Sequence, residues 1–323
     1  MSDATAIIHT LAASGGRPRV TYRQAGDRFV LVEYGDMVLD LTMNFRIFGF
    51  NDALARAPIP GVIETVPAVR SMLIHYDGRT LRPQRLVEAL EALERKLPAV
   101  GDLVIPSRRI TLPIAFVDRW TRADIERYVK FVRQDAPNVI GGHNAEYIAR
   151  YNGLRDVEEM IETICRTSWW NASIGFWPGL PFMFPLDPRY AIVVPKYNPT
   201  RPWTPEGGVG IGGPCVAIYP VASPGGYQLF GRTVPVYDLK RQNSAFRDNP
   251  ILLRPGDRIT WTRVSDDELE GRRAALAGGG AAYAIAEEPF DVRAYLRFRD
   301  GVQEEAEAFR RRQEAAQRQI PVP

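Results

Sequence analysis

The hydrophobic pattern divides the chain into a first part with alternating strands and helices and a second part without long helices. In the first part, apolar positions that alternate predict strands, and apolar positions spaced by three or four predict amphipathic helices. These elements lie at Phe29–Tyr34, 39–54, 62–66, Ser71–Tyr76 and 81–97. They predict a small α/β domain over residues 18–102. Residues 1–17 carry no comparable pattern, so we expect a flexible leader there.

The second part begins with a predicted strand at 105–116 and three helices, one of them capped by Thr121. The other two helices are expected at 144–151 and Val157–Cys165. Between residues 175 and 232 there are 10 glycines and 11 prolines in 58 residues, a density that excludes long helices. Further strands are predicted at 191–194, 216–219, 227–230, 234–237 and 258–264. The whole pattern predicts a β-barrel or sandwich domain over residues 103–275.

The last part of the chain changes character again. Gly278, Gly279 and Gly280 predict a flexible break, and residues 294–319 are rich in Glu, Arg, Gln and Ala. We interpret this stretch as a solvated helix in a C-terminal helical extension over 281–323, with Tyr295, Phe298 and Phe309 as its apolar contacts. Acidic and basic residues alternate along it, which favours an edge helix over an arm that binds nucleic acid. The predicted fold class is α+β.

The amino-acid composition excludes several classes of function but does not identify the function. The 323 residues include 41 Lys and Arg against 38 Asp and Glu, and no dense basic run points to nucleic acid or an anionic membrane. The sequence contains no stretch of eighteen apolar residues, so no membrane-spanning helix is predicted. The N-terminus lacks the pattern of a secretion signal. Two cysteines and three histidines do not support a disulfide framework or a metal site. We therefore expect a cytoplasmic protein without a metal.

Common catalytic motifs are absent or lack their structural context. Residues 208–213 match the dinucleotide pattern G-x-G-x-x-G, but prolines precede and follow them where a strand and a helix are required. A tight turn or a backbone loop close to a ligand fits better. The sequence contains no P-loop and no G-x-S-x-G nucleophile motif. His143 and Glu146 are interpreted as a surface pair, and Cys215 is expected to pack.

Polar residues embedded in the Gly/Pro-rich segment form the strongest candidate site, because proline and glycine fix the backbone around them. Lys196 and Arg201 can bind a carboxylate or stabilise charge that develops on an oxyanion. Tyr197 and Asn198 can hydrogen-bond a urea-like group, which offers both donors and acceptors. The remaining members are Asp187, Arg189, Glu206, Tyr227, Gln228 and Arg232. The alternative is that Asp187 and Arg189 form a local bridge and that the others are solvated.

Several segments in this region resemble one family. They are G-F-W-P-G-L-P-F at 175–182, L-D-P-R at 186–189, K-Y-N-P-T-R-P-W-T-P-E at 196–206, V-G-I-G-G at 209–213 and S-P-G-G-Y-Q-L-F-G-R-T at 223–233. Their sequence and order resemble the allophanate hydrolase subunit 1 family, also found as the C and D carboxyltransferase subdomains of urea carboxylase. Shorter matches at 22–27, 69–71 and 252–257 extend the resemblance to about residues 20–265. Residues 295–313 are similar to the segment that leads to the biotin carrier domain.

The resemblance implies a small α/β domain, then a cyclophilin-like β-barrel, and an obligate partner. That partner is a homologue of subunit 2, which carries the A and B subdomains and completes the active site. In urea carboxylase the joint site moves a carboxyl group from carboxybiotin to a nitrogen of urea. This chain has no Met-Lys-Met biotinylation motif, so biotin is expected on another subunit or domain, together with a biotin carboxylase component. We expect the chain to be inactive alone.

Residue roles follow from the same resemblance and the same chemistry. Lys196, Arg201 and Arg232 are assigned to stabilising charge in catalysis. The residues assigned to substrate orientation are Tyr197, Asn198, Glu206, Tyr227 and Gln228. Two alternatives remain open, because segment 175–182 departs from the urea carboxylase branch and is similar to stand-alone members. These are 5-oxoprolinase subunits, which couple ATP use to lactam opening, and a regulatory protein that inhibits a histidine kinase.

Overall fold

The computed structural model of the protein describes residues 6–323, and the first five residues of the predicted leader lie outside that range. The chain divides into two compact units. The first contains the chain up to Ser107 together with Glu288–Phe298, and the second contains Arg108–Glu287 and Arg299–Pro323. None of the helices within the described residues is long and apolar enough to cross a membrane.

The first unit is an antiparallel five-stranded sheet covered by two helices. Its strands, in spatial order, are β1 (Ile7–Leu11), β2 (Val20–Gln24), β3 (Phe29–Tyr34), β5 (Ser71–Tyr76) and β4 (Val62–Pro67). Helices α1 (Leu41–Arg56) and α2 (Pro83–Lys96) contribute their apolar faces to the core of this unit. The prediction of a flexible leader is wrong for β1, which pairs with β2. As an edge strand that buries only Leu11, β1 carries almost no alternating hydrophobic pattern.

A later stretch of the chain returns to the first unit. Strand β6 (Val104–Ile105) pairs with β15 (Phe290–Asp291) in a two-stranded sheet. The Phe45 ring of α1 lies 5.1 Å from the Phe290 ring and 5.2 Å from the Tyr295 ring, measured between centroids. The predicted extension over 281–323 therefore does not form one element, because aromatic contacts hold its first part to the first unit.

The second unit is a closed barrel of seven strands. Around the barrel these are β7 (Arg108–Phe116), β12 (Gln228–Thr233), β10 (Gly208–Gly212), β11 (Cys215–Ile218), β9 (Pro181–Pro185), β8 (Trp169–Ile174) and β13 (Arg258–Arg263). Strand β13 runs parallel to β7 and closes the ring. The long strand β7 also pairs over its first half with β14 (Ala284–Glu287). The α+β class and the barrel are thus confirmed.

Two predicted strands and one predicted turn need correction. The glycine-rich stretch 208–213 is not a turn, since β10 occupies most of it and pairs with both β11 and β12. Residues 191–194 and 234–237 form only isolated bridges, at Val194 and Tyr237. Pro195 directly follows the first stretch and Pro235 lies within the second, and proline cannot donate to a ladder. Strands β8 and β9 were not predicted, and β8 is buried over five of its six residues. A strand buried on both faces has no polar alternation to reveal it.

Helices α3 (Arg119–Phe131), α4 (Ala145–Tyr151), α5 (Val157–Cys165) and α6 (Asp266–Ala277) belong to the second unit, and the C-terminal stretch contains α7 (Val292–Gly301) and α8 (Gln303–Gln317). Asp118, not Thr121, caps α3, because its carboxylate accepts the first free N–H groups. Helix α6 was not predicted, although Ser265 and Glu268 form a capping box at its start. The single helix predicted at 294–319 is two helices.

Gly212 should not tolerate a side chain. A Cβ atom there would lie 2.4 Å from Cδ1 of Tyr227, far inside van der Waals contact. We expect Gly212→Ala to lower the free energy of unfolding by about 1–3 kcal/mol, because the Tyr227 ring must move. Denaturant unfolding measures this. The control is Gly271→Ala on α6, where a Cβ meets no atom within 4 Å; it should instead stabilise the chain by roughly 0.5–1 kcal/mol. Equal effects of the two substitutions would contradict the packing argument.

Acid should weaken the contact between α8 and α5. Partial burial alone would raise the pKa of Glu159, but hydrogen bonds from Arg312 and Arg155 lower it to about 2. A carboxylate with a lowered folded-state pKa stabilises the fold above its unfolded pKa of about 4.3, and the contribution is lost as pH falls toward the folded value. Glu159→Gln should lower the melting temperature at neutral pH, with the difference from wild type shrinking below about pH 4. A difference independent of pH would contradict this.

Candidate functional site

A cleft of about 350 Å³ opens on the wall of the barrel in the second unit. The loop before β9 contributes Phe176 and Leu180, and β9 itself contributes Phe182. The opposite wall comes from the end of β11 and from the loop before β12. Further residues that line the cleft are Lys196, Thr200, Ala217, Tyr219, Pro224, Gly225, Gly226 and Tyr227. The cleft is therefore mostly apolar, with one cation and three hydroxyl groups, a composition typical of small-molecule sites.

Two loops join to form this wall. Tyr197 N–H donates to the Gly226 carbonyl at 2.7 Å, and Arg201 and Gly225 exchange two backbone hydrogen bonds of 3.0 Å. A Cβ atom on Gly225 would lie 2.2 Å from the Tyr219 hydroxyl oxygen, so only glycine allows this approach. We call this junction of residues 196–201 with 225–226 the loop seam. The seam fixes Lys196 at the cleft.

Lys196 and Tyr227 are the two predicted site residues that line the cleft. The Lys196 ammonium lies 5.4 Å from the centroid of the Tyr227 ring, at cation–π distance. Within residues 6–323, no carboxylate is close enough to Lys196 to form an ion pair. Burial raises the pKa of Tyr227, as does the neighbouring Cys215. The site therefore offers an ammonium that is free to bind an anionic oxygen and a phenol that stays protonated at neutral pH.

Arg201 lies behind the cleft wall and not on its surface. Its side chain is fully buried, stacks on the Tyr197 ring at 4.6 Å and donates to the Tyr227 carbonyl and, at 3.1 Å, to the Thr204 hydroxyl. In the described part of the chain it has no carboxylate partner, and its Nε has no hydrogen-bond acceptor. Arg201 therefore ties the seam together and adds a positive charge close to the cleft. That charge also acts on the Asp124 carboxylate, whose pKa is raised by burial against the opposing effect of Arg127 and Arg201.

Tyr197 and Gln228 belong to a buried amide network. The Tyr197 hydroxyl exchanges hydrogen bonds with the side chain of Asn144, at 2.7 and 2.9 Å. Gln228 is fully buried, donates to the Pro195 carbonyl at 2.8 Å and accepts from Asn138 at 2.9 Å. With their polar atoms satisfied by protein groups, these two side chains hold the loop in place, and the geometry does not present them to a ligand.

Glu206 and Arg232 lie in a second group, apart from the cleft. Glu206 forms ion pairs with Arg273 of α6 and, at 3.6 Å, with Arg232, whose guanidinium stacks on the Trp120 ring at 4.6 Å. Burial and the nearby Arg273 lower the pKa of Arg232. Asn198 is exposed, and its carbonyl accepts a 2.7 Å hydrogen bond from Arg133. The eight predicted residues therefore do not converge on one point.

The structure also tests three interpretations of residues outside the cleft. Asp187 and Arg189 form the local bridge considered as the alternative, at 2.8 Å. His143 is not a surface residue, because it is 2% exposed and its Nε2 lies 3.0 Å from the Thr121 hydroxyl. Burial lowers the pKa of His143 to about 3, so the ring is neutral. Cys215 is buried, as predicted.

Sequence reasoning missed Phe176, Phe182, Thr200 and Tyr219 as lining residues. Phe176 and Phe182 belong to the segment 175–182, which contributed to the family resemblance. That motif was therefore the sequence feature that could have identified them as site residues. Tyr219 directly follows β11, and burial raises the pKa of its hydroxyl while the nearby Arg201 opposes that rise. No spacing rule in the sequence connects these residues, since the barrel closure brings them together.

Comparison with known proteins identifies the family. Residues 20–247 match the model of the carboxyltransferase domain, subdomain C and D. The chain is 33% identical to a putative urea carboxylase of Emericella nidulans over 334 residues, which covers 99% of this chain and 27% of that protein. It is also 27% identical to a 5-oxoprolinase subunit of Bacillus subtilis, over 77% of this chain and 95% of the relative.

Solved structures agree with the sequence comparison. The crystal structure of the Kluyveromyces lactis urea carboxylase matches 97% of this chain with a TM-score of 0.84 and 33% identity. The match covers 28% of that chain, so this chain spans about a quarter of the long relatives that it resembles. Because the family model covers most of the chain and the expected resemblance is confirmed, the protein belongs to the family of the carboxyltransferase domain, subdomain C and D.

Proposed function

We propose that the protein is part of a biotin-dependent carboxyltransferase that moves a carboxyl group to a nitrogen of urea or a related amide or amidine. The observation that supports this proposal is the placement of Lys196. Its ammonium lies in an apolar cleft, within the segment that matches the family, and no described carboxylate neutralises it. A positive charge beside an apolar wall, with no described carboxylate to neutralise it, is suited to stabilising negative charge on oxygen.

The residues of the cleft can perform separate parts of this transfer. Lys196 donates a hydrogen bond from Nζ to an oxygen on which negative charge develops, and the buried Arg201 adds to the positive potential. A ligand bound against the aromatic walls displaces water from them, and the lower local dielectric strengthens both effects. Hydroxyl groups of Tyr219, Tyr227 and Thr200 can donate to or accept from a compact N–C(=O) group and so orient the acceptor nitrogen.

Biotin fits the cleft in chemistry and size. A mostly apolar cleft of about 350 Å³ with one ammonium can hold a small bicyclic ring beside a cation. When bound, biotin supplies the carboxyl group. Since this chain contains no biotinylation motif, the proposal places biotin on a carrier domain or a separate chain, served by a biotin carboxylase component. A subunit 2 homologue with the A and B subdomains would complete the site in the cytoplasm.

Replacement of Lys196 is the first test of this role. In the assembled enzyme, Lys196→Ala should lower acceptor-dependent turnover by about 100-fold or more, because a charge-stabilising donor is lost. The free energy of unfolding should change by less than about 0.5 kcal/mol, since the side chain is exposed and makes no ion pair. Lys240→Ala, at an exposed lysine outside the cleft, is the matched control and should leave turnover unchanged. Full turnover in Lys196→Ala would exclude Lys196 from catalysis.

The requirement for biotin and a partner is tested on the native complex. We expect affinity purification of the tagged chain to recover a subunit 2 homologue and a biotinylated protein, and avidin to abolish acceptor-dependent turnover. The chain purified alone should show no turnover, because no carboxyl donor is present. Turnover that persists with avidin would contradict a biotin-dependent reaction.

A role in a 5-oxoprolinase is the second candidate, and one observation favours it. The match to the 5-oxoprolinase relative from B. subtilis covers 95% of that relative at 27% identity, so almost the whole of that subunit has a counterpart in this chain. In that case the partner complex would hydrolyse ATP faster when 5-oxoproline is added, and avidin would have no effect. The two candidates therefore give opposite responses to avidin in the same preparation.

A further inference from the structure

The loop between β8 and β9 holds an aromatic residue in a backbone conformation that such residues rarely adopt. Phe176 has a φ angle of +64°, and the Trp177 N–H donates to the Gly175 carbonyl across it at 2.7 Å. A hydrogen bond between residues two apart, with a positive φ at the central residue, marks the strained form of the γ-turn. Glycine adopts this conformation without a steric penalty, whereas a side chain as bulky as phenylalanine does not.

Hydrogen bonds around the turn maintain this conformation. Gly175 N–H donates to the Leu180 carbonyl at 3.1 Å, and Leu180 N–H donates to the Trp177 carbonyl at 3.0 Å. Packing of the Phe176 side chain offsets little of this strain, because the side chain is 70% exposed and its ring meets the neighbouring Trp177 ring edge-to-face, with 6.1 Å between centroids. Folding alone therefore gives no reason for a phenylalanine here, and strain without a packing reason is found mainly at binding and catalytic sites.

The position of Phe176 supplies a reason. Its side chain lines the same cleft as Lys196 and the rings of Phe182 and Tyr227. Aromatic side chains bind flat rings through stacked or edge-to-face contacts. The Lys196 ammonium adds a site for an anionic oxygen on the same ligand.

We propose that Phe176 is a ligand-contacting residue, and that its ring packs against a planar, ring-containing anion bound in the cleft beside Lys196. This inference rests on the proposed function, because it takes the cleft as the ligand site. The bound ligand buries a ring that is otherwise exposed to water, and this gain offsets the strain of the turn. On this proposal, the ligand contact made by the Phe176 ring is the reason that a phenylalanine, and not a glycine, occupies the strained position.

Stability measurements test the strain directly. Phe176→Ala removes the ring but keeps a Cβ at positive φ, whereas Phe176→Gly removes both. We expect the melting temperature of Phe176→Gly to exceed that of Phe176→Ala by roughly 2–4 °C. A matched control is Phe131→Ala, because Phe131 is 65% exposed at the end of α3 and does not line the cleft. A glycine variant no more stable than the alanine variant would overturn the claim of strain.

Binding measurements on the full chain test the contact. Anilinonaphthalene sulfonate, an aromatic anion with environment-sensitive fluorescence, serves as the probe. Wild type should bind it at one saturable site, and both Phe176 variants should raise its Kd about fivefold to tenfold, the effect of about 1–1.4 kcal/mol of lost ring contact. Lys196→Ala should weaken binding as well, and Phe131→Ala should not. No saturable binding by wild type, or an unchanged Kd in the Phe176 variants, would overturn the proposal.

This design separates the inference from the proposed function. Probe binding and melting temperature do not depend on biotin, a partner or turnover. If the Phe176 variants behave as expected while the native complex shows no avidin-sensitive turnover, the ligand contact stands and the carboxyl transfer fails. If turnover is avidin-sensitive but the Phe176 variants bind the probe as wild type does, the carboxyl transfer stands and the ligand contact fails.

Discussion

The loop seam is the constraint on which the cleft depends. Three backbone hydrogen bonds join residues 196–201 to 225–226, and the two chain segments can approach because Gly225 has no Cβ against the Tyr219 hydroxyl. Those few contacts position Lys196 on one side and Tyr227 on the other. The Arg201 side chain then braces the seam from behind, with hydrogen bonds to the Tyr227 carbonyl and the Thr204 hydroxyl just beyond the two joined segments. The ligand-facing surface is therefore built by backbone pairing, and side chains in the interior hold it rigid.

Charge placement around the seam favours an anionic ligand. The buried Arg201 and the exposed Lys196 have no carboxylate partner among residues 6–323, although most arginines of the second unit are paired. Glu206, the nearest candidate by sequence, is instead held by Arg273 and Arg232. The Arg201 charge acts on the Asp124 carboxylate without forming an ion pair with it, and a buried charge that is only partly compensated is costly to the fold. Its presence next to an apolar cleft is consistent with a site that receives its negative charge from the ligand.

The hydrophobic periodicity of the sequence predicted the strands and helices in which buried positions recur at a regular spacing. Strands β3 and β5 and helix α5 were predicted with their observed bounds, because each has one buried face and one face that is only partly buried. Strands β8 and β10 were missed since they are buried on both faces, and β10 also contains glycines required by ring contacts that no local rule reveals. For the site, two of the eight predicted residues line the cleft. Residue type indicates that a side chain is polar, but it does not show whether other protein groups already use its hydrogen-bonding atoms.

The composition of the cleft also explains why a partner is expected. Transfer of a carboxyl group to nitrogen requires that the acceptor nitrogen lose a proton. None of the described residues that line the cleft is a histidine, an aspartate or a glutamate. Burial raises the pKa of the Tyr219 and Tyr227 hydroxyls, so neither is a phenolate at neutral pH. In the proposed reaction, Lys196 therefore binds and polarises the substrate, and we expect the proton acceptor to be a group of a partner or of the carboxyl donor.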